Sequence, residues 1–214
     1  MPLYTTDALI LRTYKLGESD RIVVFLTRDR GKKRGVAKNA RQSRRRFGGA
    51  LEPLTCGRVS YFERERRDLV SLNYVEPLRS PLAASHGDAL GYVGYFAELI
   101  DEWAQEGDPS EPVYRLGASI VEAMAGGVPV ELLTPYFEYW LLRLQGVYEA
   151  QARLSDEARA FLAAARTSSP FALGALRVSP RALGELEAAH SQLIAMHLEK
   201  ELKSVRVLRE MRRS

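Results

Sequence analysis

The stretch DALILRTYKLGESDRIVVFLTRDRGKKRGVAKNA, residues 7–40, decides how the chain begins to fold. Its first ten residues alternate so that both faces of an extended strand are partly apolar, as in a curled sheet. GESD (17–20) has the chemistry of a turn, and RIVVFLT (21–27) is rich in β-branched and aromatic residues. After a second turn at RDRG (28–31), KKRGVAKNA continues as a basic strand. We therefore predict three consecutive β-strands.

Two further segments alternate between residues 57 and 78. In GRVSYFERE (57–65) and LVSLNYVEPL (69–78), successive side chains fall on opposite faces of a strand. Five short strands separated by turns within about 80 residues are typical of a small antiparallel barrel, and closure of a sheet leaves no edge exposed. We predict such a barrel for the N-terminal part of the chain.

The hydrophobic period changes after residue 80. Val93, Phe96, Ile100 and Trp103 recur at helical spacing and predict an amphipathic helix. A second helix is predicted to start at Pro112 and to stop at Gly126-Gly127, and a third to begin with Thr134 as N-cap and Pro135 as first residue. A fourth is predicted from an N-cap at Ser155 through Ala165. The final helix is predicted to start at Ser179-Pro180, with Leu183, Leu186, Leu193 and Ile194 on its apolar side. The fold class is thus predicted as multi-domain α+β, with a barrel domain in residues 1–80 and an all-helical domain in residues 81–214.

The composition is that of an ordinary soluble globular protein. The 214 residues are 46% hydrophobic and 27% charged. No apolar run approaches the roughly 18 residues that a membrane helix needs, and the N-terminus lacks the pattern of a signal peptide. The single cysteine, Cys56, excludes an intramolecular disulfide and a cysteine-rich zinc site. We expect a cytoplasmic protein with no membrane partner.

Charge divides the chain into two unlike parts. Residues 1–80 hold 18 Lys or Arg and 9 Asp or Glu, whereas residues 81–214 hold 13 and 18. A basic part joined to an acidic part indicates two domains with different partners. The basic part is the candidate for binding a polyanion.

Catalytic chemistry receives little support from the sequence. RGKKRG (30–35) lacks the glycine spacing and the Ser or Thr of a P-loop. The histidines His86, His190 and His197 match no metal-ligand pattern, and we assign them to packing or to the surface. Cys56 has no evident base nearby, so a small core residue is the simpler interpretation. We expect no catalytic residue, no metal and no cofactor.

Three carboxylates form the one cluster that an enzyme could use. Glu63, Glu65 and Asp68 are interleaved with arginines, which is more typical of cross-strand charge pairing than of a metal cage. A nuclease that uses these carboxylates with magnesium is the enzymatic alternative, and a nuclease assay with and without a chelator tests it.

Positive charge is concentrated in residues 28–46, which hold ten Lys or Arg and one acid, Asp29. Such density costs self-repulsion, which a phosphate backbone relieves while it releases its own counterions. A solvated loop is the plainer interpretation, but small barrels commonly bind single strands with a basic groove and an aromatic platform. The predicted contacts to nucleic acid are Arg28, Arg30, Lys32, Lys33, Arg34, Lys38, Arg41, Arg44, Arg45 and Arg46, with Phe47 and Tyr61 as candidate base-stacking rings. Glycines at 31, 35, 48 and 49 are predicted to let the backbone approach a ligand.

Several segments together resemble the N-terminal domain of the bacterial RecO family of recombination mediators. They are GESD before an apolar strand, RGVAKNAR (34–41), RFGGALEP (46–53) and the aromatic strand after them. LEKELKSVRVL (198–208) is similar to the family's C-terminal segment. The resemblance is strong in residues 5–75, where the combination of motifs is specific although each motif alone is weak.

The resemblance implies an OB-fold followed by a helical domain. It implies a protein without enzymatic activity that binds single- and double-stranded DNA, anneals complementary strands and works near the nucleoid. It also implies two protein partners, RecR and the acidic, apolar C-terminal tail of the single-stranded DNA-binding protein SSB, and a role in loading RecA onto SSB-coated DNA. The basic contacts named above are then contacts to DNA.

The chain departs from the family at one point. Many members carry a four-cysteine zinc site after the segment that matches FEYWLLRLQGVYEAQ, whereas residues 150–180 here contain no cysteine, so the zinc site is expected to be lacking. Five apolar residues are expected to pack this lobe instead, namely Phe161, Leu162, Phe171, Leu173 and Leu176.

Two questions stay open at the level of sequence. An SSB-tail site should be an apolar notch flanked by cations, for which Arg143, Lys200, Lys203 and Arg206 are candidates, yet solvation explains these residues equally well. The alternative function is an OB-fold protein that associates with RNA or the ribosome. Competition between single-stranded RNA and DNA of equal length separates the two.

Overall fold

The computed structural model describes residues 2–64, 68–83, 89–149 and 154–211. Within these ranges five strands come first: β1 (Leu3–Leu16), β2 (Asp20–Thr27), β3 (Lys32–Ala37), β4 (Cys56–Phe62) and β5 (Val70–Arg79), with a one-turn helix, α1 (Arg44–Phe47), before β4. The longer helices are α2 (Ala89–Trp103), α3 (Glu111–Ala125), α4 (Val130–Leu144), α5 (Asp156–Thr167), α6 (Pro180–Leu198) and α7 (Lys203–Met211). Short 3-10 helices span Pro81–Ala83 and Pro170–Ala175. The predicted five-stranded sheet followed by a helical region is confirmed.

The strands close into a barrel in the order β1-β2-β3-β5-β4. β1 closes it, because its first half pairs with β4 and its second half with β2. All neighbours are antiparallel except β3 and β5, which run parallel. The prediction of a wholly antiparallel barrel is therefore wrong at this pair. Strand directions cannot alternate around a closed ring with an odd number of strands, so one pair of neighbours must be parallel.

β1 contributes to two hydrophobic cores because successive side chains point to opposite faces. Ala8 and Ile10 face the barrel interior, while Leu9 and Leu11 pack against the helices. The partly apolar character of both faces, predicted from the sequence, thus has a structural reason. Gly117 of α3 makes this packing possible, since a Cβ there would lie 2.6 Å from Cδ1 of Leu9. The outer face of β1 thus shares a core with the helices, while the barrel interior forms a core of its own.

The helices agree with most of the predicted boundaries. α2 and α3 begin and end close to the predicted residues, and the Ser155 side chain accepts a hydrogen bond from Ala158 N at the start of α5. Three of the five residues expected to pack the lobe are buried, and the other two are more exposed. Phe161, Leu162 and Leu173 are buried, Leu176 is partly buried and packs on the core, and Phe171 is 48% exposed. None of the helices in the described ranges is long and apolar enough to cross a membrane.

Two predicted helix boundaries are wrong. Thr134 and Pro135 lie inside α4, which starts at Val130, and the Thr134 hydroxyl donates to Val130 O at 2.8 Å. Leu132 and Leu133 are buried, so the apolar face begins a turn earlier than the Thr-Pro signal indicates. The helix from Ser179 is also not the last one, because the chain turns at Glu199, in the left-handed conformation, before α7.

A buried carboxylate holds α7 against α2. Glu98 of α2 accepts hydrogen bonds from the backbone N–H groups of Lys203 (3.1 Å) and Ser204 (2.7 Å), which satisfies two donors at the start of α7. Gly91 provides the space on α2, because a Cβ there would approach Leu208 Cδ2 at 2.7 Å. Burial raises the pKa of Glu98, but these hydrogen bonds and Arg12 outweigh it and lower the pKa below its ordinary value.

We expect Glu98→Ala to release α7 selectively. Loss of a capping carboxylate typically costs about 1 to 2 kcal/mol, so amide exchange in residues 203–211 should accelerate while exchange in the barrel stays slow. Glu102→Ala, which among the described residues removes only the ion pair with Lys200, is the control. Because the pKa of Glu98 is lowered on folding, this stabilisation is present above pH 4.5 and is lost as the pH falls through the folded-state pKa. Equal exchange rates in wild type and Glu98→Ala contradict the assignment.

Polar side chains from three helices meet inside the helical region. Tyr95 of α2 donates a 2.5 Å hydrogen bond to Glu138 Oε1 of α4, and Glu138 Oε2 lies 3.1 Å from His190 Nδ1 of α6. Glu138 and His190 are 2% and 0% exposed. His190 is thus a packed core residue as predicted, His197 lies in the last turn of α6, and His86 lies outside the described residues.

Candidate nucleic-acid interface

Four cations of the basic segment are paired with carboxylates that are distant in the sequence. Lys32 Nζ lies 3.1 Å from Asp101, Arg28 lies 2.8 Å from Glu111, and Arg34 lies 3.9 Å from Glu106. These acids belong to α2, to α3 and to the connection between them. Lys33 pairs at 2.8 Å with Glu63, just beyond β4. Local acids are too few to neutralise the segment, as the sequence indicates, but these four cations are paired with acids from distant parts of the sequence.

Arg30 lies 3.7 Å from the neighbouring Asp29, and Arg30 and Arg46 also have structural contacts of a different kind. The Arg30 guanidinium lies 4.1 Å from the centre of the Tyr4 ring. Arg46 donates to Ser43 Oγ and to Lys38 O at 2.9 and 2.7 Å, and it lies over the Phe47 ring. Arg46 therefore fixes the turn between β3 and α1, and its replacement should disturb the backbone as well as the charge.

The remaining cations, Lys38, Arg41, Arg44 and Arg45, are exposed. The Arg41 side chain donates to Glu18 O at 3.2 Å. In the described part of the chain, none of the four forms an ion pair with a carboxylate. Their charge is available to an external anion.

A cleft of about 820 Å³ opens beside these residues. Its lining includes four arginines, Arg12 of β1, Arg21 of β2, Arg41 and Arg44, and one acid, Glu52. Gly49, in the left-handed conformation, forms part of the wall. We call this the barrel cleft, and its four arginines are far apart in the sequence but converge on one concave surface.

Arg12 and Arg21 are the cleft residues that the sequence patterns do not predict. The β-bulge between Ile10 and Arg12 shifts the register of β1, so the alternation that begins at Ala8 does not continue unchanged to Arg12. Arg21 precedes the apolar part of β2, beside the turn at residues 17–20. Each is a single arginine within or at the start of a strand, and such a residue is too frequent to be diagnostic.

Two carboxylates of α2 position Arg12. Its guanidinium lies 3.3 Å from Asp101 and 3.7 Å from Glu98, and it donates to the Tyr14 hydroxyl at 3.2 Å. Burial lowers the pKa of Arg12, but the hydrogen bond to Tyr14 and the two carboxylates outweigh burial and raise it. Arg12 is thus held as a cation at the border between the barrel cleft and the helices.

The predicted base-stacking rings are buried, and this prediction is wrong. Phe47 is 3% exposed and Tyr61 is 0% exposed, and both belong to the barrel core. Tyr61 packs at 5.7 Å against Phe25, and burial raises its pKa to about 12. A barrel of five short strands needs large side chains to fill its interior, and these rings serve that purpose. Of the other rings near the segment, Tyr74 on β5 is 37% exposed.

The glycines of the basic segment differ in what surrounds them. A Cβ at Gly31 would lie 2.4 Å from Asp108 O, so Gly31 allows a close approach of the protein's own backbone. A Cβ at Gly35 would likewise lie 2.9 Å from Cγ2 of Val70, and one at Gly48 would lie 2.5 Å from Arg44 O. Gly49 faces open space at the barrel cleft, so it alone of the four fits the predicted approach to a ligand.

Among the described residues, the possible catalytic groups do not assemble into a metal site. Glu63 pairs with Lys33, Asp68 is exposed, and Glu65 lies outside the described residues. Across residues 2–64, 68–83, 89–149 and 154–211, no group of three His, Cys, Asp or Glu could hold a metal ion. Burial raises the pKa of Cys56 to about 12, which makes it a poor nucleophile.

The four candidate residues for the SSB tail are divided between two places. Lys200 pairs with Glu102, and the backbone of Lys203 caps onto Glu98, so these two and Arg206 belong to the α6–α7 junction. Arg143, near the end of α4, stacks over the rings of Tyr139 (5.6 Å) and Trp140 (5.7 Å).

Trp140 and Tyr139 point into two different concave surfaces. Trp140 lines the α3–α4 groove, a space of about 440 Å³ that also contains Leu116, Tyr136, Leu144 and Arg115. Tyr139 lines the α4–α5 cleft, of about 600 Å³, which contains Arg143, Tyr148, Arg159 and Arg166. The first surface is largely apolar, and the second is basic and aromatic.

Two family models match consecutive parts of the chain. The model described as Recombination protein O N terminal matches residues 1–81, and the model described as Recombination protein O C terminal matches residues 84–150. The chain belongs to the RecO family. The N-terminal match covers the whole barrel, including the barrel cleft, and the C-terminal match ends before α5.

Curated relatives agree with this assignment. A DNA repair protein RecO from Koribacter versatilis is 43% identical over 146 residues, which cover 67% of this chain and 59% of the relative. Proteins of the same name from Anaeromyxobacter sp. strain K and Geobacter metallireducens are 38% and 37% identical, over 65% and 66% of this chain and 55% and 57% of their own lengths. The match thus spans little more than half the length of these relatives.

Proposed function

We propose that the chain is a DNA-binding recombination mediator that anneals complementary single strands. The barrel cleft carries this proposal, because four arginines from separate elements converge there around one acid. Arg12 and Arg21 are fixed by the strands, whereas Arg41 and Arg44 extend from the loop and from α1. Rigid and adaptable cations together suit a phosphate backbone whose bases are not read individually.

Neutralisation of phosphate charge is enough to account for annealing. Two strands repel each other as polyanions, and cations that release condensed counterions lower that barrier. The bases can then pair by themselves, so the proposed activity requires no catalytic group and no cofactor. The barrel is used as an OB-fold in this proposal, with a basic groove as the binding surface.

We assign the SSB tail to the α3–α4 groove. Its apolar wall of Leu116, Tyr136 and Trp140 suits the apolar end of the tail, and Arg115 in the lining and Arg143 above Trp140 provide cations for the acidic residues. Of the four candidates from the sequence, Arg143 alone belongs to this assignment. RecR, and with it the loading of RecA, is proposed from family membership.

Annealing of SSB-coated complementary strands tests the whole proposal. We expect the protein to accelerate annealing on strands coated with intact SSB and to act much less on strands coated with tail-deleted SSB. The protein should also anneal bare strands, which carry no SSB, and this activity should weaken steeply as salt rises. The proposal fails if the protein accelerates annealing of neither bare nor coated strands.

A substitution at one leucine of the α3–α4 groove distinguishes binding of the SSB tail from binding of DNA. Leu144→Asp places a repelling carboxylate in the groove, where Leu144 is 39% exposed, and should weaken binding of an acidic tail peptide at least about tenfold. Leu78→Asp is the matched control, because Leu78 is exposed on β5 outside the groove. Equal tail affinity of Leu144→Asp and wild type contradicts the groove assignment alone.

A further inference from the structure

The α4–α5 cleft has a charge opposite to that of the region around it. Residues 81–214 carry a net negative charge, with 13 Lys or Arg against 18 Asp or Glu. In this acidic region three arginines, Arg143, Arg159 and Arg166, line one cleft of about 600 Å³ whose lining contains no carboxylate among the described residues. Concentration of like charge against the overall sign costs repulsion, which a bound anion relieves.

The arginines of this cleft differ in how firmly they are held. Arg143 is fixed by a 2.8 Å hydrogen bond to the Tyr139 hydroxyl and by stacking. Arg159 donates to Leu154 O, and it also donates to Asp156 at 2.7 Å. Across the part of the chain that the structure describes, Arg166 forms no hydrogen bond and no ion pair, and its side chain is exposed. At least one full cation is therefore free to meet a ligand.

Aromatic rings complete the cleft. Tyr139 and Tyr148 pack edge to face with centroids 4.8 Å apart, and Tyr148 packs in the same manner on the buried His190 at 6.0 Å. Tyr148 is partly exposed and lines the cleft. Proteins that bind single-stranded nucleic acid combine an aromatic ring, on which a base stacks, with arginines that pair with phosphates. Tyr148, held in place by Tyr139 and His190, and the neighbouring arginines form such a combination.

We propose that the α4–α5 cleft binds a second single strand of nucleic acid, so that one molecule holds two strands on two separate surfaces. The inference rests on the proposed annealing function and adds a second binding site to it. The two clefts share no lining residue among those described. One is formed by the barrel, whereas the other is formed by α4, by α5 and by Gly146 and Tyr148, which follow α4.

The cleft suits a nucleic acid better than an acidic peptide. Its purely aliphatic lining is limited, within the described ranges, to Leu162, which is 8% exposed, and Ala163. A peptide with an apolar end needs a deeper apolar surface, and the neighbouring α3–α4 groove has one in Leu116, Trp140 and Leu144. The two concave surfaces meet at the contact between Arg143 and Trp140 but differ in chemistry.

Two labelled, non-complementary single strands test the proposal with the full chain. One strand carries a fluorescent donor and the other an acceptor, and energy transfer between them is expected when wild-type protein is the limiting component. The mass of the complexes should correspond to one protein and two strands. Arg159→Ala combined with Arg166→Ala should leave binding of the first strand within about twofold. It should weaken the second strand about tenfold at 0.15 M salt, from two lost phosphate contacts. The rate of annealing should fall with the second affinity.

Controls keep the result interpretable. Arg177→Ala combined with Arg181→Ala removes the same charge from the helical region outside the cleft and should change neither strand's affinity. Arg166→Ala alone, which breaks no contact within the described residues, should weaken the second strand about fourfold and exclude misfolding as the cause.

The outcomes separate this inference from the proposed function. Unchanged second-strand affinity in the double variant overturns the second site while the barrel cleft stands. A double variant that keeps both strands but loses an acidic peptide with an apolar C-terminal end assigns the cleft to a peptide and also overturns the proposal. If the wild type binds no strand at all, the proposed function itself fails.

Discussion

Replacement of Arg41, Arg44 and Arg45 together by alanine is expected to weaken single-stranded DNA binding about 50-fold at 0.15 M salt. Each phosphate contact to a single strand contributes about 0.7 to the slope of log affinity against log salt. Three lost contacts therefore reduce the slope by about 2. If the variant and the wild type bind equally at 1 M salt, this difference in slope makes the variant about 50-fold weaker at 0.15 M salt. Fluorescence anisotropy over a range of salt concentrations measures both quantities.

The structure decides which arginines belong in this variant. Arg44 and Arg45 are exposed and have no ion pair among the described residues, and Arg41 bonds only a backbone oxygen there, that of Glu18. Arg46 is left in place because it holds Ser43 and the Lys38 carbonyl. The variant therefore removes charge without removing the contacts that shape the loop.

Three arginines outside the barrel cleft provide a control of equal charge. Arg58→Ala, Arg177→Ala and Arg181→Ala together remove three cations whose side chains do not line the cleft. This control should lose less than about threefold in affinity, since distant exposed charges are screened. If the control and the variant that lacks Arg41, Arg44 and the adjacent Arg45 lose affinity and slope equally, DNA is bound by overall charge and the barrel cleft is not the site.

The order of the elements could be predicted from the sequence because local patterns determine it. Alternation in residues 7–16, turn chemistry at 17–20 and helical spacing from Val93 to Trp103 each depend on residues close together in the chain. The failures at Thr134-Pro135 and at the final helix have the opposite origin. There, packing of Leu132 and Leu133, and capping of α7 by Glu98, depend on partners from other elements.

For the same reason, only part of the candidate site could be predicted from the sequence. A run of cations is visible in residues 28–46, but the acids that pair with Lys32 and Arg28 lie on α2 and α3. Exposure of the rings could not be predicted either, because Phe47 and Tyr61 fill a barrel whose interior volume depends on all five strands. Convergence of Arg12 and Arg21 on the loop arginines requires the closed barrel and the bulge in β1.

The buried contact among Tyr95, Glu138 and His190 should be the most sensitive point for stability. Glu138→Ala leaves the Tyr95 hydroxyl and His190 Nδ1 without their partner in a site that is almost fully buried. Removal of one member of such a pair typically costs about 3 to 5 kcal/mol, which for a chain of this size lowers Tm by roughly 10 °C or more. Thermal and denaturant unfolding measure this loss.

Exposed Glu131 on the same helix is the matched control for Glu138. Glu131→Ala should cost less than about 1 kcal/mol, because it removes only a favourable charge near the start of α4. The effect of Glu138→Ala should also reach beyond the helices, since α2 carries Tyr95 and packs on β1 of the barrel. Barrel and helices should then unfold together at the lower temperature. An unchanged Tm means that Tyr95 and His190 are as well satisfied without Glu138 as with it, and the account of Tyr148 as a ring fixed through His190 then fails too.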